Sequence, residues 1–304
     1  MKSLIVILSV ILASTATHAT PQSVTVSTTS GRTYAVAFDP NKFAGALVQL
    51  RELKQVYNKQ KRRYITSYTE WLNSADAGRN LQTALHTNER GECYNPTQGG
   101  NWTEYSKTYA SQLVEYWTGP NALHTKTRMA FWLRPGDTRR PQPGYCPLSV
   151  SENKTLTSDY YVTHDVSFSS VAGAMLMTFN VTVDTPESNN SVVWETLTGY
   201  MHGSFKVFYK YDKATQTLLP GPTSPNEQPY PVVLSATSSQ AIGIYCPGAN
   251  YSAYDFAKLA SIYVTKWNGV HRTGFTPSGL YQATCYVPVG SVSEVTAALR
   301  TVVK

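Results

Sequence analysis

Charge is scarce in this sequence. Only 15% of its 304 residues are Asp, Glu, Lys or Arg, while 41% are hydrophobic. That balance excludes the charge-rich, weakly hydrophobic chains that stay disordered. Long apolar runs are missing beyond the first twenty residues, so no later segment reads as a membrane-spanning helix. Histidine numbers six and cysteine four. No two cysteines have zinc-ligand spacing, and no H-E-x-x-H, G-x-S-x-G, phosphate-binding P-loop or G-x-G-x-x-G occurs in the setting its chemistry requires. A metal, a cofactor and a Ser/His/Asp hydrolase are therefore not expected. Long repeats and low-complexity segments are also absent.

What is present begins with Lys2, an apolar run from Leu4 to Leu12, and small residues leading to Thr17-His18-Ala19. This layout predicts a secretory signal peptide over residues 1–19 and a secreted, extracellular single domain over 20–304 with no membrane span. In such a chain an even count of cysteines favours two disulfides. Three pairings are possible. Cys93–Cys146 with Cys246–Cys285 is preferred, because neighbours in sequence meet first. Sequons begin at Asn101, Asn153, Asn180, Asn189 and Asn250 and are candidate glycosylation sites. The formal charge is +7, with its densest run at Lys59-Gln60-Lys61-Arg62-Arg63 and a second basic pair at Arg139-Arg140. Basic surfaces attract nucleic acid, acidic polysaccharide or anionic membranes. Secretion sets nucleic acid aside, and solvated turns that keep the protein soluble are the plainer alternative. Nothing in the sequence bears on oligomeric state.

Residues rich in Thr, Ser, Tyr and Val alternate apolar and polar over short stretches bounded by turn residues. Examples are "SVTVSTTSGRTYAVAF", "RMAFWL", "LTSDYYVTHDVSF", "GAMLMTFNVTVD", "VVWETLTGYM" and "SFKVFYKYD". The pattern predicts an all-β sandwich or barrel with few helices. Residues 42–57 fit helix or strand equally by periodicity, and "YDFAKLASIYVTKW" is similarly ambiguous. The closing "SVSEVTAALRTVVK" predicts a C-terminal helix, capped by Ser291 or Ser293 and apolar at Val292, Val295, Leu299 and Val302.

Two stretches lie close together, "DAGRNLQTAL" and "GECYNPTQGG". With "MAFWL", "ETLTGYM", "YPVVLSATSSQAIGIYCP" and "YVPVGSVSEVTAAL" they resemble a group of secreted proteins sharing D-x-G-R-x-L-Q followed by G-E-x-x-N-P-T-[EQ]-x-G. The early "GALVQLREL…YIT" also resembles the opening strands of galactose-mutarotase-like β-super-sandwiches. The resemblance implies a large twisted super-sandwich that handles carbohydrate, without fixing a reaction. At the [EQ] position this chain has Gln98, which can hydrogen-bond a sugar hydroxyl but cannot act as an acid or base.

The loop between Arg90 and Gly100 concentrates polar side chains around Pro96 and Gly99-Gly100. Arg90, Glu92, Asn95 and Gln98, with Arg79 and Gln82 just upstream, form the candidate substrate-binding set. The alternative is an elaborate turn whose polar groups satisfy its own backbone. His164 is a candidate general base, with a structural histidine as the alternative. Tyr200 and His202 share a strand face and could form the proton-transfer couple of a lyase, and Glu195 is the best single carboxylate. Glycosidase chemistry needs two carboxylates, for which Glu92, Glu195 and Glu227 are available. A lectin-like protein or an extracellular interaction module remains the non-catalytic alternative. His86, His124 and His271 sit in no motif, and most tryptophans read as core.

Overall fold

The computed structural model describes residues 22–40, 46–47, 49–72, 80–87, 90–100, 110–138, 150–221, 226–228, 231–259 and 262–304. The expected signal peptide, Arg79, Cys146 and Asn101 lie outside them. The chain is all-β. A four-stranded antiparallel sheet comprises β1 (Gln22–Ser27), β2 (Thr33–Phe38), β3 (Gln49–Asn58) and β4 (Arg63–Glu70), in that order. Residues 49–57, ambiguous by periodicity, are therefore strand. Between β2 and β4 the segment satisfies its backbone on both sides and buries Leu50 and Glu52.

The remaining strands form one large sheet. They are β5 (Leu81–Thr87), β6 (Pro96–Thr97), β7 (Gln112–Gly119), β8 (Ala122–Phe131), β9 (Thr157–Val171), β10 (Ala174–Thr185) and β11 (Asn189–His202). There follow β12 (Val207–Asp212), β13 (Thr217–Pro220), β14 (Asn226–Gln228), β15 (Val232–Thr237), β16 (Gln240–Ile244), β17 (Tyr251–Leu259), β18 (Ile262–Phe275) and β19 (Gly279–Gly290). Their spatial order is β13-β12-β15-β16-β19-β10-β9-β8-β6-β5-β11-β18-β17-β14, with β7 paired to β8 beside this path. The stretch that read equally as helix is the β17–β18 hairpin.

One main core joins both sheets. Tyr34, Val36 and Phe38 of the small sheet pack with Trp194, Met177 and Trp267 of the large one. The disulfide Cys246–Cys285 is buried in it. Cys93 is also disulfide-bonded. A single α-helix is found among the described residues, α1 (Val292–Val302). Ser291 Oγ accepts from Glu294 N at 3.2 Å and Glu294 Oε2 accepts from Ser291 N at 2.6 Å, a complete capping box. Val295, Leu299 and Val303 cover Tyr211, Val233 and Ala241. β15 is thus buried on both faces, which explains its unbroken apolar run.

Candidate functional site

The site is built on β11, whose pattern changes parity. Val192 and Trp194 enter the main core, and so do Leu197 and Met201. Even positions give way to odd ones. A β-bulge at Thr196 causes the change. Glu195 pairs with Ala84 and Val270, whereas Leu197 pairs with Gly269 and Thr198 with Gln82, so β11 holds one residue more than either neighbour. Glu195, Thr198 and Tyr200 therefore share the face turned away from the core, and Thr198 Oγ1 donates to Glu195 Oε2 at 2.7 Å. Gly199 lies on the core face beneath them. A Cβ there would sit 2.2 Å from the Trp267 ring, so glycine alone lets that indole lie across the strand. On the site face β18 contributes Lys266, opposite Tyr200, and β5 contributes His86, opposite Val193.

The segment from Arg90 to Gly100 closes over this face. It is more than a loop. Residues 91–94 form a 3₁₀ turn, and Pro96-Thr97 form β6, the link between β5 and β8. Proline suits a strand this short, because it has no N–H to pair. Gly100 approaches β8 so closely that a Cβ would lie 2.3 Å from the Ala130 carbonyl oxygen. Gln98 N donates to Thr83 O at 2.9 Å, and Thr83 N donates back to Gln98 Oε1 at 3.2 Å. Gly99 N donates to Gln82 Oε1 at 3.2 Å. Cys93 O and Asn95 O accept from Glu152 N and Trp132 N, both at 2.9 Å.

This anchoring delivers Glu92 to the charges on the sheet. Glu92, His86, Glu195 and Lys266 interact electrostatically as one group. Lys266 Nζ lies 3.3 Å from Glu195 Oε1, and their side chains remain 26% and 12% exposed, so the pair is recessed yet open to solvent. Lys266 also lies 5.8 Å from the Tyr200 ring centre. Burial pushes the Glu92 carboxyl up, helped by the charge of Glu195, and His86, Lys266 and the Asn95 amide do not reverse it. Burial would raise Glu195 too, but Lys266, His86 and the Thr198 hydroxyl hold it below the ordinary carboxylate range. Burial works against the Lys266 charge as well, and Glu195, Tyr200 and Glu92 outweigh it, raising its pKa. Glu92 Oε2 accepts from Asn95 Nδ2 at 2.5 Å, and Asn95 Oδ1 accepts from Thr97 Oγ1 at 2.6 Å, so the loop's own amide fixes one oxygen of the Glu92 carboxyl. His86 Nδ1 is buried without a partner among the described residues. No group of three or more His, Cys, Asp or Glu among the described residues is placed to hold a metal ion.

Several expected site residues take other roles. Gln82 and Gln98, 3% and 0% exposed, clamp the loop to β5 instead of facing a ligand. Asn95 acts through Glu92. Arg90 pairs with Glu152 at 3.2 Å and stacks on Tyr94, on the outside of the turn. His164 is enclosed in the core, where Nε2 meets Thr83 Oγ1 at 2.8 Å and the ring abuts Phe179. Burial pushes its pKa down to about 3, which is a structural histidine's environment. His202 is exposed, and Nδ1 pairs with Ser204 Oγ at 2.9 Å. Asn153 is corrected as a glycosylation site, because its buried Nδ2 donates to Leu133 O and Thr155 O and has no room for a glycan. Asn180 and Asn250 are exposed. Asn189 opens β11.

Sequence reasoning missed Lys266 and His86. Each left a trace. Lys266 is a lone cation inside the otherwise uncharged "SIYVTKWNGV", and His86 keeps the strand parity of Gln82.

No protein-family model matches the chain, and no curated protein matches it. Among solved structures, a galactose mutarotase-like protein from Lactobacillus casei is similar over 88% of this chain and 100% of its own, with a TM-score of 0.46 and 9% identity. The α-galactosidase from Lactobacillus brevis gives 0.44 and 7% over 88% of this chain and 39% of its own. The heparan sulfate lyase from Pedobacter heparinus gives 0.36 and 8%, over 88% and 37%. At these scores no chemistry passes from those proteins to this chain, and its fold stands on the strand pairing described above.

Proposed function

We infer that the chain is a secreted carbohydrate-processing protein that works by general acid–base chemistry. The observation that carries this reading is the convergence of two carboxylates pushed in opposite directions, Glu92 and Glu195, on a recessed face where Lys266 pairs with Glu195 and acts on both. Paired carboxylates whose surroundings drive them apart are how one site supplies an acid and a base at the same pH. Glu92 protonates the departing sugar oxygen. Glu195 acts as the carboxylate partner, as base toward water or as nucleophile. Thr198 and Lys266 keep it ionised, and Tyr200 flanks the same face. The carbohydrate class of substrate is what the sequence resemblance implies. Secretion rests on the leader-like N-terminus and fits a chain that carries disulfides.

The geometry favours hydrolysis over β-elimination. Elimination from a uronate needs a spare cation or amide against the substrate carboxylate. Among the described residues of this face, Lys266 is already held by Glu195 and Asn95 by Glu92. The reaction centre thus suits a neutral sugar ring.

A panel of neutral and acidic polysaccharides, with products followed by mass spectrometry, tests the reading. Saturated fragments are expected. Glu195→Gln and Glu92→Gln should each lower kcat by roughly 100-fold or more while substrate is still retained. Unsaturated fragments would make it a lyase. Saturable binding without product, from wild type as from both variants, would make it a lectin.

A further inference from the structure

The basic run at Lys59–Arg63 has no part in that site. It forms the tip of an arm. Beyond the cross-strand pair Leu53–Tyr68, where β2 ends, β3 and β4 continue as a two-stranded ribbon with solvent on both faces, Val56 being 46% exposed and Tyr57 50%. At the rise of an antiparallel strand the ribbon extends about 15–20 Å. Residues 53–69 carry Lys54, Lys59, Lys61, Arg62 and Arg63 without a single acid, five positive charges in a chain whose net charge is +7. Lys54 is drawn toward Glu52 at 3.8 Å, whereas no ion pair is found at the four tip cations among the described residues.

The tip is also an ordered turn. Asn58 Oδ1 accepts from Lys61 N at 2.9 Å, and Arg62 adopts φ +47°. Glycine or asparagine fills that left-handed conformation more cheaply. An arginine held there presents its charge at some conformational cost, which points to a use for the charge. Below the tip, one face of the ribbon carries the cross-strand pair Tyr57–Tyr64, with ring centres 5.3 Å apart, and then Tyr68 with Arg51 over its ring at 4.2 Å. Tyr64 and Tyr68 are 69% and 55% exposed. A row of open aromatic rings leading to a cationic tip matches a polymer that alternates apolar ring faces with anionic groups.

We propose that the β3–β4 arm binds an acidic polysaccharide, a sulfated or carboxylated glycan, through its tip cations and tyrosine face. The inference is independent of the acid–base reading. It assigns the chain's affinity for polyanions to the arm, outside the charge-balanced reaction centre. An anionic membrane is the poorer match, because residues 58–63 contain no apolar side chain to insert. A polyanion met outside the cell is favoured over nucleic acid by the leader-like N-terminus.

The test uses the full mature chain against heparin, polygalacturonate, neutral dextran, a DNA duplex and phosphatidylserine vesicles, each over a series of salt concentrations. Heparin or polygalacturonate should bind in a salt-sensitive manner and dextran should not. The combined substitution Lys59→Gln, Lys61→Gln, Arg62→Gly and Arg63→Gln should weaken that binding by roughly 100-fold or more. Arg62→Gly alone should weaken it about 5-fold while leaving Tm unchanged or raised, since glycine relieves the turn. A control with the same net charge replaces Lys154, Lys206, Lys213 and Lys304 by Gln, and should bind as wild type. The proposal is overturned if the control loses as much as the arm variant, if the arm variant binds like wild type, or if DNA or vesicles bind more tightly than both glycans.

Discussion

Lys266 reaches Glu195 at 3.3 Å and lies in the field of Glu92 and Tyr200, so one ammonium group biases the protonation of two carboxylates. Its removal is therefore diagnostic. In Lys266→Met the burial that Lys266 now offsets is opposed only by His86 and the Thr198 hydroxyl, and the Glu195 pKa rises. Glu92 loses a lowering influence and rises as well. If Glu195 must be ionised and Glu92 protonated for turnover, both limbs of the pH profile of kcat/KM move to higher pH. Lys266→Arg should leave them in place. A lysine with only a packing role would lower the height of the profile and leave the limbs where they were. Removing Lys266 from this recessed pair leaves the Glu195 charge less compensated, so a loss of stability accompanies the shift.

At the scale of elements, the site depends on two departures from regular β structure. One left a trace in the sequence that becomes readable once the core is known. Val192, Trp194, Leu197 and Met201 cannot share one face of a regular strand, and a single inserted residue is the simplest remedy. The other left none. Pro96-Thr97 is too short to show a period, and its role as the strand between β5 and β8 exists only once those strands are in place. The polar loop therefore read as a ligand grip, although Gln82 and Gln98 use their amides to hold it down. The same limit hid the β17–β18 hairpin, because an apolar run of that length fits a helix until a partner strand pairs with it. Gly100→Ala tests the anchoring. Its Cβ would meet backbone, the Ala130 carbonyl at 2.3 Å, which cannot swing aside as a side chain would. The variant should lose about 1–3 kcal/mol in chemical denaturation. It should also lose activity at temperatures where it is still folded, because Glu92 rides on the displaced segment. Normal activity in a folded Gly100→Ala protein would detach the loop's seating from the chemistry.

Over the whole molecule, pH acts through groups far from one another. His164 sits neutral in the main core with a pKa pushed down to about 3, against 6.5 in an unfolded chain. Because the folded value is the lower one, the unfolded state binds the proton first. Stability is complete above pH 6.5 and falls as pH drops toward 3, by on the order of 4 kcal/mol for this one group. Glu294, held down by the Ser291 cap and by Arg32, and Glu195, held down by Lys266, act with the same sign but only below their unfolded value of 4.5. Glu92 has the opposite sign. Its raised pKa favours the folded state in acid, and that contribution is lost as pH rises. Between pH 6.5 and 5 the two depressed carboxylates are silent, so a decline in stability there belongs to the two histidines that burial pushes down, His164 foremost and His271 with it. Denaturation series at pH 7, 6, 5 and 4 should show wild type losing stability from the first step, while His164→Gln starts lower and falls much less steeply down to about pH 5, the remaining slope belonging to His271. The histidine was legible as a residue on a strand face. Its enclosure by Thr83 and Phe179 depends on β5 crossing near β9, and that contact forms only when the sheet curls around the core. A His164→Gln profile that keeps the wild-type slope would move the acid sensitivity to another group and reopen His164 for chemistry.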